Sequence, residues 1–174
     1  MKVFVELFAQ ENEQCMRALL DTNKTQWKEM INIISRGKND EVEALADQLK
    51  KLFEDGAGPK EKLRTLFVEK FDGLEAIKTS LSDQRRSNER AIALIDLLIT
   101  IFEVKGDYQE QFVSIGGIPV ITDILKTAGS LEGYTSLITS ITSLLFICIK
   151  IVQCLVTGST VSISWRRPMS NGPM

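Results

Sequence analysis

The stretch Gly116-Gly117-Ile118-Pro119-Val120-Ile121-Thr122-Asp123-Ile124-Leu125 has a fainter copy 44 residues earlier, Asp72-Gly73-Leu74-Glu75-Ala76-Ile77-Lys78-Thr79-Ser80-Leu81. Glycine faces glycine and apolar faces apolar. Self-similarity at about 40–47 residues is the mark of stacked helical repeats, in which each unit buries its apolar face against the next. Such stacks expose long surfaces and generally bind other proteins.

Working outward from these two segments, each sits between a short apolar-periodic stretch and a longer one. In the first unit the helix before the glycine spans about 60–70, with Leu63, Leu66, Phe67 and Phe71 apolar. A helix with Leu74, Ile77 and Leu81 follows Gly73, and Ser82 to Asn88 reads as a polar loop. A third helix then carries Ile92, Ile95, Leu98, Ile99 and Phe102 at helical spacing. In the second unit Phe112 and Ile115 belong to a short first helix, Gly116-Gly117 make the turn, and Ile118 to Leu125 form the second helix. Ile138, Ile141, Leu144, Leu145 and Cys148 then recur 46 residues after their first-unit counterparts. Glycine at the turn permits positive φ and close helix approach, and Pro119 enters a first turn whose N–H groups lack partners in any case.

Together these residues resemble the armadillo-repeat family across roughly residues 60–150. Tyr108 to Pro119 matches its junction between first and second helices, and Ser87 to Leu94 the start of its long third helix. In the first unit the resemblance is weaker, because Glu75 stands where the proline would be. It implies an all-α fold, a short right-handed α-solenoid of about two units over 56–156. Residues 1–55 would form an N-terminal helical cap and 157–174 an irregular tail. The family lines a groove with its third helices and often clamps a peptide there with asparagine. This chain has Leu94-Ile95-Asp96-Leu97-Leu98 and Ser140-Ile141-Thr142-Ser143-Leu144 instead, so an asparagine ladder is not expected.

Ahead of the repeats three helices are predicted. Phe4, Phe8, Cys15 and Leu19 share a face of the first, with Leu7 and Met16 beside them. Trp27, Met30, Ile31 and Ile34 mark the second, around 24–36, which Gly37 stops. Val42, Leu45, Leu49, Leu52 and Phe53 mark the third, for which Asp40 is the expected N-cap, with Glu43 three residues on. Gly56-Ala57-Gly58-Pro59 is the boundary.

Composition narrows the function classes. The 174 residues contain no histidine, which removes Ser-His-Asp and Cys-His catalysis and histidine acid–base work. Cys15, Cys148 and Cys154 form no Cys-x-x-Cys pair and read as buried thiols of a reducing compartment. A net charge of −2 with interspersed signs gives no electrostatic case for nucleic acid. The N-terminus lacks the uninterrupted apolar stretch of a secretory signal, so cytosol or nucleus is expected. Acid pairs such as Glu11/Glu13 and Glu41/Glu43 lie on predicted exposed faces. No catalytic, cofactor or metal residue is expected, and the chain reads as a non-enzymatic scaffold or adaptor.

The candidate partner-binding residues are Arg85, Arg86 and Arg90, a basic cluster suited to a phosphate or an acidic partner, with Asp96, Thr139, Thr142, Leu145 and Ile149 on the third helices. From Leu144 to Val156 the chain is apolar nearly all round, and only six charged residues occur between Gly106 and Val156. A helix of that kind is buried, covered by a partner, or in a membrane. Residues 137–156 have the length of a membrane span, but Lys150 near its centre costs about 2.5–3.5 kcal/mol. A protein partner or self-association through this helix is therefore expected over a tail anchor.

Overall fold

The computed structural model describes residues 24–54, 59–103, 107–128 and 135–157. Within them the chain is all-helical and has no strand. The elements are α1 (Lys24–Arg36), α2 (Asn39–Phe53), α3 (Pro59–Thr65, continued by a π-helical turn Leu66–Lys70), α4 (Gly73–Ser82), α5 (Asn88–Phe102), α6 (Asp107–Ser114), α7 (Gly117–Ala128) and α8 (Thr135–Thr157). The expected helix at Phe4–Leu19, Cys15 and the tail after 157 lie outside the described residues, as do Asp55 to Gly58 and the side chain of Cys154.

The helices pack in two rows. In one, α1 lies on α4 and α4 on α7; in the other, α2 lies on α5 and α5 on α8. Helices α2 and α5 run parallel: the start of α2 meets the approach to α5 through Asn39 Nδ2 donating to the Arg85 carbonyl at 3.2 Å. Farther along, the Lys50 ammonium lies 3.1 Å from Asp96. The short helices α3 and α6 lead into α4 and α7.

One continuous core threads these rows, from Trp27 and Ile34 through Phe67, Ile77, Leu94 and Leu98 to Phe112, Ile121 and Leu144. The described part of the N-terminal segment, expected to cap the first unit, extends both rows and also touches the 60–70 helix. Its α1 packs on α4 and its α2 on α5, while α2 also touches α3. Trp27 ties α1 to both ends of the π turn, stacked on Phe71 at 5.4 Å and tilted against Phe67 at 6.3 Å.

Two local expectations change. Helix α2 begins at Asn39, so the N-cap is Lys38 rather than Asp40. Gly37 closes α1 by donating to the Ile33 carbonyl at 2.7 Å, which leaves a two-residue link and forces the next helix to start early. Glu41, not Glu43, then accepts the Lys38 N–H at 3.2 Å. At α5 the cap is Ser87, whose hydroxyl accepts the Arg90 N–H at 3.1 Å.

Candidate functional site

The junctions between units are built twice from the same parts. At the end of α2, the Phe53 ring tilts against Phe67 of α3, centroids 5.6 Å apart at 53°. At the end of α5, Phe102 meets Phe112 of α6 at 5.7 Å and 58°. In each case the second ring lies over the glycine that opens the next helix. A Cβ on Gly73 would fall on the Phe67 ring, and one on Gly117 on the Phe112 ring. The residue just before each glycine takes positive φ, 55° at Asp72 and 83° at Gly116. These are the 44-residue partners of the sequence. Aspartate is among the few side chains that tolerate this region.

A buried polar residue three positions before each phenylalanine completes the motif. Arg64 Nη2 donates to the Phe53 carbonyl at 2.6 Å, with its guanidinium 5.9 Å from the Phe53 ring centre. Gln109 Nε2 donates to the Phe102 carbonyl at 3.0 Å. Each donor therefore satisfies the end of the preceding long helix, where carbonyls lack intrahelical partners. Burial lowers the Arg64 pKa, opposed by the fields of Tyr108 and Glu61. Sequence reading missed Arg64 and Gln109; the signal was there as a polar residue and phenylalanine at i, i+3, repeated 45 residues apart.

The basic cluster does not act as one surface. Arg90 is 2 % exposed. Its Nε and Nη2 donate to the Ser80 hydroxyl at 3.1 and 2.7 Å, and its Nη1 to Asn39 Oδ1 at 3.2 Å and the Gly37 carbonyl at 3.4 Å. Asp83 lies 3.6 Å away. Arg90 thus pins α4 and α5 to the α1–α2 link. Arg86 is half-buried and turns back on the Asp83 carbonyl at 3.0 Å. For both arginines burial is the main cause of a lowered pKa. Arg85 alone of the three is exposed.

On the second row, Asp96 is held between neighbours, paired with Lys50 and accepting from the Ser140 hydroxyl at 3.0 Å. It fastens α2, α5 and α8 side by side. Helix α5 is covered nearly all round, leaving only Ile92, Asp96 and Ile99 half-exposed along its middle. Helix α8 is more open. Leu137, Ile141, Leu144, Ile147 and Cys148 enter the core, and Leu145 packs half-buried against it. Thr139, Thr142, Ser143, Phe146 and Ile149 are exposed. Thr142 returns its hydroxyl to the Ile138 carbonyl at 2.7 Å. Phe146 and Ile149 are 55 % and 53 % exposed, the largest apolar exposures among the described residues.

Cys148, 46 residues after Phe102 in the sequence, is buried within α8. Desolvation pushes its thiol up to about 11. Because the folded value lies above the ordinary one, deprotonation favours the unfolded chain. The Cys148 contribution should therefore be constant below about pH 9 and decline as pH rises through 9 to 11. In a Cys15→Ser, Cys154→Ser background, native Cys148 should resist an aromatic disulfide reagent at pH 8 and react at once in denaturant. Rapid native labelling would show the thiol to be open.

Among the described residues no cluster of three potential metal ligands occurs, and no helix is long and apolar enough to cross a membrane. Comparison with protein families, with curated proteins and with solved structures finds no match.

Proposed function

We propose that this chain is a non-enzymatic protein-binding scaffold whose helices stack as an armadillo-like solenoid, with the row α2–α5–α8 as its binding face. The observation that carries this is the twice-built junction. Two ring-over-glycine turns and two carbonyl-capping side chains recur 44–45 residues apart, the spacing of the sequence repeat, each meeting a phenylalanine that closes the preceding long helix, as a stack of equivalent units requires. On this reading the array ends in α8, and its outer face, polar at Thr139, Thr142 and Ser143 and apolar at Phe146 and Ile149, takes the partner. Contacts come from Thr139, Thr142 and Ile149 with Ile99 and the outer edge of Leu145. Self-association through the same face is the simplest form of that binding, and a reducing cytosolic or nuclear setting suits the buried thiol.

Two substitutions on α8 separate folding from binding. Leu145 packs half-buried against the core, so Leu145→Asp should lower stability by about 1–3 kcal/mol by setting a carboxylate against apolar neighbours at the core's edge. Ile149 faces outward, so Ile149→Asp should leave the helical circular dichroism and the unfolding midpoint nearly unchanged. It should nevertheless abolish self-association in light scattering, or crosslinking of a partner from a photoreactive group at residue 142. A wild-type chain that stays monomeric and captures nothing through position 142 would remove α8 as the binding face.

The rival assignment, a tail anchor over 137–156, conflicts with how α8 is used. Leu137, Ile141, Leu144 and Cys148 would have to leave the core to enter a bilayer. Resistance to alkaline carbonate extraction would nonetheless establish the anchor in place of the scaffold.

A further inference from the structure

A groove of about 420 Å³ opens on the other row, between α1 and α4, far in sequence from α8. Its floor is Ile31 and Phe71, both half-buried, and Asn32, Ser35 and Thr79 supply polar atoms along its sides. Lys28 and Arg36 stand on its rim, both exposed. Neither side chain forms an ion pair or hydrogen bond among the described residues. The one carboxylate on α4, Glu75, is already engaged by Lys78, and Lys78 also donates to the Ile115 carbonyl at 3.2 Å. Among the described residues the groove therefore presents two unpaired side-chain cations with an apolar floor between them.

We infer that this groove is a docking site for an extended acidic peptide segment of a protein partner, carrying an apolar side chain between two carboxylates. The spacing suits an extended peptide. Lys28 and Arg36 are eight residues apart on one helix face, about 12 Å along its axis. An extended chain rises about 3.3 Å per residue, so carboxylates four residues apart span about 13 Å and meet both cations. The side chain midway between them lies over Ile31 and Phe71, while Asn32, Ser35 and Thr79 face the peptide backbone. Open rim cations of this kind act through complementary charge and lose strength with salt. This site shares no residue with the α8 face, so the two proposals stand or fall separately.

The test uses the full chain and a capped pentapeptide, Glu-Ala-Leu-Ala-Glu, in low salt. Because Trp27 stacks on Phe71, its emission reports on the groove once Trp165→Phe removes the second tryptophan. Saturable change with Kd below about 1 mM is expected, together with amide shifts at Asn32, Ser35 and Thr79. Lys28→Glu with Arg36→Glu, both exposed and neutral to folding by circular dichroism, should weaken binding tenfold or more. The scrambled peptide Glu-Glu-Ala-Ala-Leu should bind at least fivefold more weakly. Equal binding by the double variant, or shifts confined to other helices, would overturn the site. So would an equal response to inorganic phosphate or glutarate at the same concentration, which would make it a small-anion site, or no saturation by the pentapeptide at 5 mM.

Discussion

Gly73→Ala should destabilise the protein by about 1–3 kcal/mol, and the loss should disappear when Phe67 is also alanine. The glycine opens α4 directly beneath a phenylalanine ring that is itself fully buried. A methyl group there would lie closer than 3 Å to three ring carbons, and overpacking a filled core costs energy of this order. Phe67→Ala alone should cost about 3–5 kcal/mol, since the ring also meets Trp27 and Phe53. In that background the methyl group enters vacated space, and the lower unfolded-state entropy of alanine becomes a small gain. The coupling between the two sites should therefore be about 1.5–3 kcal/mol. Urea unfolding of the four proteins, followed by circular dichroism, measures it. A matching cycle at Phe112 and Gly117 should give the same sign, because the junction is built from the same contacts. Additive losses at both junctions would mean that the ring and the glycine do not share space.

Arg90 and Arg85 should behave oppositely despite lying five residues apart in one basic cluster. Arg90→Leu takes the guanidinium from the Ser80 hydroxyl, Asn39 Oδ1 and the Gly37 carbonyl, all three of which it now reaches. Buried polar groups left without partners cost about 1–3 kcal/mol each at most, and partial rearrangement makes a net loss of about 2–4 kcal/mol the expectation. Arg90→Lys should recover only part of it, because a single ammonium cannot span the fork geometry of a guanidinium. Arg85→Ala should change stability by no more than about 0.5 kcal/mol, as for an ordinary exposed position. Thermal unfolding of the three variants decides the matter. A neutral Arg90→Leu would return the arginine to the surface and to partner binding.

Much of the helix pattern was legible. The second N-terminal helix at 24–36, the helix entering at Gly73, the polar break before Asn88 and the double-glycine turn all follow from local periodicity and turn chemistry, and all are present. The 44-residue register was legible too, since Asp72 and Gly116 carry the positive φ that such a turn needs. The start of α2 was misjudged because the length of the preceding link set it, not the strongest capping residue.

The candidate surface was far less legible. Three arginines close together in sequence look alike as charges, yet the packing of α1, α4 and α5 draws one into the interior and leaves another in water. Asp96 looked like a free groove residue and is held between Lys50 and Ser140, on neighbouring helices 46 and 44 residues away in the chain.

Residue order alone determined the all-helical class, the recurrence and the absence of histidine chemistry, because periodicity, turn residues and composition act within a few positions of themselves. Only tertiary structure decided which polar groups are spent inside and which remain for a partner. That choice depends on distances between helices tens of residues apart, and each buried donor or acceptor must find its match there.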